Sequence, residues 1–596
     1  MNIHAKRLEL LRNEMEKSGI DAYIIPMSDP HLSEYIPSFW KSIEWLCGFS
    51  GSAGTLLITQ DEASLWTDGR YWLQAEKQLQ GSGFSLQKAS KTHTYTPYLL
   101  SKLKASQTVG IDGRVFSSQA KSELEEKLKE HSIALNSHCD LISTLWENRP
   151  TLKKEKVYEY PLKFAIVSVG EKLKAIRERM KELKADAHLV ASLDDIAWMT
   201  NLRGSDIECN PVFMSYLYID MQKALLFIQK EAIAPELIER LEGENIFVRG
   251  YEEIESFLSS LKQESILLDP QSTPSSLVEC LKCEIIKEHN PSLFLKSQKN
   301  QEQANHIKEA MIEDGVALCH LQFWLENAIK EGKRVSELEV EEQLHKFRSL
   351  SPHFISDSFH AIVGFGANGA QCHYRATKED FSQIEGNGFL LLDSGGNYLN
   401  GTTDITRVFP IGEVKEEQKR DYALVLKAHI AMSSTIFPEG IAMPLLDSIT
   451  RAPLWKHHLD YAHGTGHGVG YFLNVHEGPQ VLSYFAPALE KTKAREGMIL
   501  SIEPGLYREG KWGVRLENLV ICAHDGMESK EFGKFLRFET LSLYPFERDC
   551  LELGLLSEDE IEWINAYHKE VYEKLSKYLD ENMRVWLREK TKELKN

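Results

Sequence analysis

The feature that most constrains the fold of this 596-residue chain is the placement of acidic residues in apolar, strand-like segments. Asp393 ends the apolar run FLLLD, and Asp404 follows eleven residues later in the strand-like segment TTDITRVFP. A buried carboxylate destabilises a protein by several kcal/mol unless it is paired or bound to a metal. If the two segments form a hairpin, both acids can face each other, and one would have to take up a proton unless a cation lies between them. The sequence therefore indicates a divalent cation at this hairpin.

Two apolar segments further along the chain each carry one more acid. Glu503 follows the strand-like run MILSI, and Glu517 lies in GVRLENLVIC, where Arg515 is on the same strand face because strand side chains repeat every two residues. The segment YAHGTGHGVGYFLNVHEGP, which lies between the hairpin and these two segments, has alternate glycines that disfavour a helix and allow close backbone approach. The histidine candidates are His373, which precedes the hairpin, and His463, His467 and His476 in the glycine-rich segment.

These residues together predict a metal centre rich in oxygen ligands. Four carboxylates with one or more imidazoles favour Mn²⁺, Co²⁺ or Fe²⁺ over a thiolate-type zinc site. Four negative charges neutralise two dications, and ions roughly 3.5 to 4 Å apart can share bridging carboxylates. Any one of these acids alone is more often an edge or solvent-facing residue than a metal ligand. Their joint occurrence in one predicted domain favours a centre of two metals.

An internal repeat predicts the organisation of the first half of the chain. The segment LELLRNEMEKSGIDAYIIPMSD from Leu8 aligns without a gap with LKAIRERMKELKADAHLVASLD from Leu173. Each copy predicts an amphipathic helix, a buried strand and a glycine-rich turn, although chance similarity of helix-strand units is the alternative. We expect two related α/β domains, at residues 1–145 and 165–290.

The second half of the chain predicts a third domain and a tail, since 596 residues exceed one hydrophobic core. Residues 291–535 begin with long helical stretches and contain all the candidate metal ligands. Capping boxes at Ser336 to Glu339 and Ser557 to Glu560 each predict the start of a helix. Residues 536–596 are expected to form a docked helical extension, with Tyr578 on its buried face and no catalytic role.

Composition limits the kinds of partner and the cellular compartment that we expect for this protein. The net charge of −19, without a Lys/Arg-rich block, argues against nucleic acid or an anionic membrane as partner and favours small or peptide-sized ones. The sequence shows no apolar signal-peptide core and no stretch of about 20 apolar residues, which predicts a cytoplasmic protein. Nine scattered cysteines fit reduced thiols better than a disulfide framework.

The motifs LLLDSGGNYLNGTTDITRVF, HGTGHGVGYFLNVHEGP, LSIEPGLY and GVRLENL resemble the signature of the pita-bread metallopeptidases. In the first two thirds of the chain, DAYIIPMSDPHLSEYI, WTDGRYWLQAEKQL and DIAWMTNLRGSDIECNPVF resemble one branch, the long cytosolic Xaa-Pro aminopeptidases. The resemblance covers almost the whole chain. It implies an α/β fold with two related N-terminal α/β domains, then a pseudosymmetric pita-bread catalytic domain and a helical extension.

The resemblance also implies roles for individual residues. Asp404 and Glu517 match the acids that bridge two metal ions, for which manganese is expected, with Co²⁺, Fe²⁺ or Zn²⁺ as alternatives. Arg70 matches a substrate-contacting arginine of the first domain, and Arg515 an arginine beside a bridging acid. The implied metal ligands are Asp393, Asp404, His467, Glu503 and Glu517. The implied substrate and transition-state histidines are His373, His463 and His476.

The activity that the resemblance implies is hydrolysis of the N-terminal Xaa-Pro bond of peptides by a homodimeric enzyme. In this hypothesis two dications lower the pKa of a water molecule, and Glu503 relays its proton to the leaving nitrogen. Prolidase, methionine aminopeptidase and creatinase-type hydrolase remain alternatives on the same fold. The alternative from another functional class is a non-catalytic peptide-binding module. Such a protein is expected to have lost some of the metal ligands.

Overall fold

The computed structural model describes residues 2–595, without the side chains of Glu528 and Ser529. The chain divides into two units, Met1–Leu293 and Phe294–Asn596. Within the described residues, none of the helices combines the length and the apolar character that crossing a bilayer requires.

The first unit contains two six-stranded sheets with the same topology. One has the spatial order Ser85–Lys88, Ala63–Thr67, Thr55–Thr59, Ala22–Pro26, Thr108–Gly110, Ala134–Asn136. The other has the order Ile246–Gly250, Ala224–Ile228, Ser215–Asp220, Ala187–Val190, Ser265–Leu268, Glu284–Lys287. In each sheet the fourth strand listed is the first along the chain, and the pair directions are also the same, with two antiparallel pairs and three parallel ones. The predicted repeat of an α/β domain is therefore confirmed as a repeat of fold, whereas the boundaries 1–145 and 165–290 stay predictions.

Equivalent helix positions of the two copies are buried. Helix Ile3–Lys17 precedes the first strand of one copy, and helix Val169–Glu182 precedes that of the other. The aligned buried pairs are Leu8 with Leu173, Leu11 with Ile176, and Met15 with Met180. The spacing of three or four residues places these side chains on one face of each helix. Burial of each such side chain contributes roughly 1.5 to 3 kcal/mol to stability.

Shorter helices complete the first unit. They are Ser42–Cys47, Trp72–Gln78, Tyr95–Lys102, Ser118–Glu130, Ile142–Leu145, Leu162–Ala165, Leu193–Thr200, Pro235–Gly243, Ile254–Ser259 and Ser275–Glu279.

The second unit is built from two similar halves. Each half contains a long helix, a shorter helix and an antiparallel sheet, whose strands follow the helices except for Ile436–Pro438, which lies between the two helices of the second half. The first half contains helices Gln301–Lys330 and Glu337–Arg348 and the strands Ile362–Phe365, Gly388–Ser394 and Ile405–Ile411. The second half contains helices Glu416–Ser433 and Asp447–Trp455 and the strands Ile436–Pro438, Ile499–Ile502, Asn518–Ser529 and Gly533–Thr540. This arrangement agrees with the expected pseudosymmetric pita-bread domain. The box predicted at Ser336 caps the second helix through both of its hydrogen bonds.

The hairpin that carries Asp393 differs in detail from the sequence prediction. Strands Gly388–Ser394 and Ile405–Ile411 pair antiparallel, as predicted, with Asp393 opposite Thr406. The connection is more than a turn, because Gly396–Tyr398 and Gly401–Thr402 form two short strands that join Phe354–Asp357 in a separate sheet.

The C-terminal extension is docked and is helical from Glu558, as the sequence predicts, whereas residues 536–540 of the predicted range belong to strand Gly533–Thr540. The Ser557 box caps helix Glu558–Leu575, and a second helix spans Glu581–Lys590. Ile564, Tyr567 and Val571 of the first helix share a core with residues of strands Gly388–Ser394 and Ile405–Ile411. The prediction that Tyr578 is buried was wrong. The helix ends before it in a 3-10 turn, which leaves Tyr578 63% exposed.

We expect Leu11→Ala to lower the free energy of unfolding of the first unit by about 2 to 5 kcal/mol, because Leu11 is fully buried and its truncation leaves a cavity. Leu10→Ala is the matched control. The same substitution one residue earlier, at a side chain that is 53% exposed, should change stability by less than about 0.5 kcal/mol. Urea unfolding followed by circular dichroism measures both, and equal midpoints for the two variants would contradict the assigned helix face.

Candidate metal centre

The five predicted ligands come from strand ends of both halves of the second unit. Asp393 lies in strand Gly388–Ser394, and Asp404 immediately precedes the partner strand Ile405–Ile411. His467 lies in the short strand Gly466–His467, and Glu503 directly follows Ile499–Ile502. Glu517 does not continue the strand of Arg515, as the sequence suggested, but lies in the break between Trp512–Arg515 and Asn518–Ser529.

Three of these side chains form a group that can hold a metal ion. One ligand atom from each of Asp404, His467 and Glu517 lies within 4.8 Å of the other two. His467 Nε2 is 3.5 Å from Asp404 Oδ2 and 3.5 Å from Glu503 Oε1, so Glu503 lies at the edge of the same group. Residues more than 100 positions apart along the chain therefore converge on one point.

Asp393 joins this group with one oxygen held and one oxygen open. Its Oδ2 accepts hydrogen bonds from Arg515 Nε at 3.2 Å and from Arg515 Nη2 at 2.5 Å. Its Oδ1 is buried and accepts no hydrogen bond from any residue between positions 2 and 595. A buried carboxylate oxygen without a donor is destabilising, and metal coordination would remove that cost.

The pKa values of the acids show that their negative charges repel one another. Burial, and then the charges of Glu517 and Asp393, raise the pKa of Asp404 well above its ordinary value. Burial and the charge of Glu517 raise the pKa of Glu503 well above its ordinary value. Burial and the charge of Asp393 raise the pKa of Glu517 to about 7. The four acids cannot all carry full charge at this spacing unless cations are bound between them.

The chain's own donors therefore fit a pair of divalent cations. The cluster offers oxygen atoms from four carboxylates and one imidazole nitrogen, which is the donor chemistry of Mn²⁺, Fe²⁺ or Co²⁺. Of the four acids, only Asp393 has its negative charge compensated by direct contact with Arg515. The open Oδ1 of Asp393 and the convergence of Asp404, His467 and Glu517 are the features that a metal would complete.

The predicted glycine contacts are present around His467. A Cβ on Gly466 would lie 1.9 Å from the carbonyl oxygen of Ser501, and a Cβ on Gly468 would lie 2.0 Å from the carbonyl oxygen of Glu477. Any side chain at either position would push the strand of His467 away from its neighbours. The glycines therefore allow the histidine to approach the acids.

The three other histidines lie at or beside the cluster. His476 packs edge to face on His467, with ring centroids 4.2 Å apart. His463 Nε2 is 2.8 Å from the hydroxyl of Tyr507, which also accepts a hydrogen bond from Arg515 Nη1 at 2.8 Å. His373 is half-buried in the turn that follows residues 366–370. The charge of Arg515 and the hydroxyl of Tyr507 act on the thiol of its neighbour Cys372, so this turn meets the same group of residues.

Arg70 lies in the first unit, where it pairs with Asp68 at 2.9 Å and stacks over Tyr71. Desolvation opposes its charge, but the hydrogen bonds and charge of Asp68 outweigh it and raise the pKa of Arg70 above its usual range. The predicted substrate contact of this arginine stays a prediction.

Several residues of the site carried no signal in the sequence reasoning. Tyr507 links His463 to Arg515, Thr406 donates to Glu517 Oε2 at 2.8 Å, and Ser501 Oγ is 3.4 Å from Glu503 Oε1. The fully buried ion pair of Lys299 with Glu477 holds the residue next to His476. The only sign of this ion pair in the sequence was Glu477, the acid that follows His476 in VHEGP.

Family models match the chain along most of its length. The model described as metallopeptidase family M24 matches residues 305–524, which include all five predicted ligands. Models of a creatinase/prolidase N-terminal domain match residues 7–142 and 148–303. A model of the C-terminal region of peptidase M24 matches residues 534–594.

Similar proteins match nearly end to end. Xaa-Pro aminopeptidase 1 of Dictyostelium discoideum is 40% identical over 96% of this chain and 93% of its own length. Aminopeptidase P2 of Arabidopsis thaliana is 36% identical over 97% of this chain and 86% of its own length. The crystal structure of X-prolyl aminopeptidase from Caenorhabditis elegans, described as a cytosolic enzyme with a di-nuclear active site, superposes with a TM-score of 0.94. It is 31% identical and covers 99% of this chain and 100% of that one. This chain therefore belongs to metallopeptidase family M24, on the branch of long Xaa-Pro aminopeptidases with two creatinase-type N-terminal domains.

Proposed function

We propose that this chain is a dinuclear metallo-aminopeptidase that removes the first residue of peptides with proline at the second position. The observation that supports this most is the convergence of Asp404, His467 and Glu517, with Asp393 and Glu503 beside them, in the matched M24 region. The Dictyostelium relative is named Xaa-Pro aminopeptidase 1, and the Caenorhabditis elegans structure is that of an X-prolyl aminopeptidase. The chain retains all five predicted ligands, which disfavours a non-catalytic binding module.

Two divalent ions, with manganese as first choice, would be held by Asp393, Asp404, His467, Glu503 and Glu517. Asp404 and Glu517 would serve both ions, because they offer oxygen atoms within 4.8 Å of each other and both side chains are buried. When bound, the ions lower the pKa of water toward neutrality and polarise the scissile carbonyl. Arg515 fixes Asp393 through one oxygen and leaves the other for an ion.

The side chains around the ions transfer a proton and donate hydrogen bonds to the substrate. Glu503 accepts a proton on its carboxylate and passes it to the proline nitrogen as the bond breaks. His476, beside His467, donates a hydrogen bond to the oxyanion. The Nδ1 of His463 donates to the Gly464 carbonyl at 2.8 Å, so its Nε2 donates to the substrate carbonyl, in place of its contact with the Tyr507 hydroxyl, when the ring is the imidazolium.

Proline at the second position gives the substrate a tertiary amide without an N–H, so a pocket shaped for its ring can select it. His373 forms one wall of that pocket. The enzyme works in the cytoplasm as a homodimer. A mass of two chains by sedimentation equilibrium would support this assembly, and a mass of one chain would contradict it.

We expect Glu517→Gln to abolish turnover and to remove at least one bound metal ion per chain, because the bridging charge is lost. Glu509→Gln is the matched control, since Glu509 is an exposed residue of the nearby turn. Metal content by mass spectrometry and peptide hydrolysis are measured on the same samples. Full activity of a chelator-washed parent enzyme would contradict the two-metal mechanism.

We expect His463→Ala to lower kcat by about 10²-fold while metal content stays unchanged, because a hydrogen-bond donor to the reacting carbonyl is lost. His458→Ala is the control, since His458 is exposed. If the His463 variant instead lost its metals, the role assigned to this residue would be wrong.

We expect the metal-loaded protein to hydrolyse a short Xaa-Pro-Xaa peptide, and expect little hydrolysis of the same peptide with alanine at the second position. Hydrolysis is followed by chromatography with and without added Mn²⁺. An enzyme that cleaved the dipeptide Xaa-Pro and left the tripeptide intact would be a prolidase, and the aminopeptidase assignment would fail.

A further inference from the structure

A buried arginine lies directly behind the metal centre. Arg407 is in strand Ile405–Ile411, three residues after Asp404, and its side chain is 1% exposed. Side chains alternate along a strand, so Arg407 points away from the face of Thr406. Thr406 faces the centre, where it donates to the carboxylate of Glu517. The side chain of Arg407 therefore lies on the face of this strand opposite to the one that bears the proposed metal ligands.

The guanidinium of Arg407 holds two backbone carbonyls of the centre together. Its Nη1 donates to the carbonyl oxygen of Thr406 at 2.9 Å and to that of Glu517 at 2.5 Å. The amide of Glu517 in turn donates to the Thr406 carbonyl at 3.2 Å. The guanidinium of Arg407 therefore reinforces the direct hydrogen bonds between the strand that follows Asp404 and the break that carries Glu517.

The same guanidinium is held by the C-terminal extension. Its Nη2 donates to the Tyr544 carbonyl at 2.6 Å and to the hydroxyl of Tyr567 at 3.0 Å. Its Nε donates to the Pro545 carbonyl at 3.2 Å, and its plane lies over the ring of Phe546 at 4.2 Å. Tyr567 is on helix Glu558–Leu575, so this helix reaches the back of the centre through one hydroxyl and one arginine.

A third branch leads from Arg407 toward Glu503. Nη2 also contacts Asn518 Oδ1 at 2.7 Å, and Asn518 Nδ2 is 3.4 Å from His429 Nε2. His429 Nδ1 is 3.0 Å from the carbonyl oxygen of Ile502, the residue before Glu503. Three of the proposed ligands, Asp404, Glu503 and Glu517, are thus attached to backbone segments that this one network fixes.

We propose that Arg407 and Tyr567 are positioning residues of the metal centre. Arg407 fixes the distance between the segments that carry Asp404 and Glu517, and Tyr567 fixes Arg407. Partners that orient metal ligands change metal affinity when they are removed. The inference rests on the proposed metal centre, and it gives the C-terminal extension a part in metal binding where the sequence predicted no catalytic role.

The test compares Tyr567→Phe with Tyr572→Phe in the full chain. Both changes remove one phenol hydroxyl from the same helix, but the Tyr572 hydroxyl accepts hydrogen bonds from Arg588 of the tail, at 2.9 Å from its Nη2. Chelator-stripped proteins are titrated with Mn²⁺ by calorimetry, well below the melting temperature of each variant. We expect Tyr567→Phe to weaken Mn²⁺ binding about tenfold, and expect Tyr572→Phe to bind as the parent does. Arg407→Lys should weaken it further, because one ammonium group cannot hold both sides of the network.

The possible results separate this inference from the proposed function. A parent chain that does not bind two Mn²⁺ ions refutes the proposed centre and the inference with it. A parent that binds both, with Tyr567→Phe binding equally tightly even if it melts earlier, overturns the inference alone. Equal weakening in Tyr567→Phe and Tyr572→Phe also overturns it. Glu517→Gln, titrated alongside, must lose binding for the signal to report this centre, and its full binding would count against the proposed centre itself.

Discussion

The structure of the second unit depends on one constraint, which is the burial of like charges without enough positive charge from the protein. Asp404 and Glu517 are buried, and the side chains of Asp393 and Glu503 are mostly enclosed. Arg515 compensates only Asp393 by direct contact. A folded chain with this arrangement is at its most stable when cations take the missing charge. Folding and metal binding are therefore linked, as in other proteins whose metal site is assembled by the fold.

The backbone around the centre is held by hydrogen-bonding groups that are themselves buried. Arg515 and Arg407 lie on opposite sides of the cluster, the first on a carboxylate and the second on backbone carbonyls. A charged side chain in a core is destabilising unless its donors have acceptors. Arg407 meets this condition with six acceptor atoms, and Arg515 donates to Asp393 Oδ2 and to the Tyr507 hydroxyl. The arrangement fixes the ligand positions before an ion binds, so less reorganisation accompanies binding.

Much of this could be predicted from the sequence, for reasons that differ by residue. The acids were visible because a carboxylate at the end of an apolar strand contradicts its surroundings, and the repeat was visible because its two copies align without a gap. The strands after Asp393 were missed because a glycine-rich run reads as a turn, and because their pairing partner Phe354–Asp357 lies far away in sequence. Tyr507 and Arg407 were missed because a tyrosine or an arginine in a strand gives no sign of its contacts. Their partners are fixed by tertiary packing alone.

The origin of the ligands suggests why the fold needs two similar halves. Asp393 and Asp404 come from the sheet of the first half, whereas His467, Glu503 and Glu517 come from strands of the second. Neither half contains a set of donors that could hold two ions alone. In the proposed centre the ions would therefore cross-link the halves. Arg407 is a cross-link made by the protein itself, since it joins the Thr406 and Glu517 carbonyls. Because the C-terminal extension supplies acceptors to that arginine, the extension is part of the structure that keeps the two halves in register.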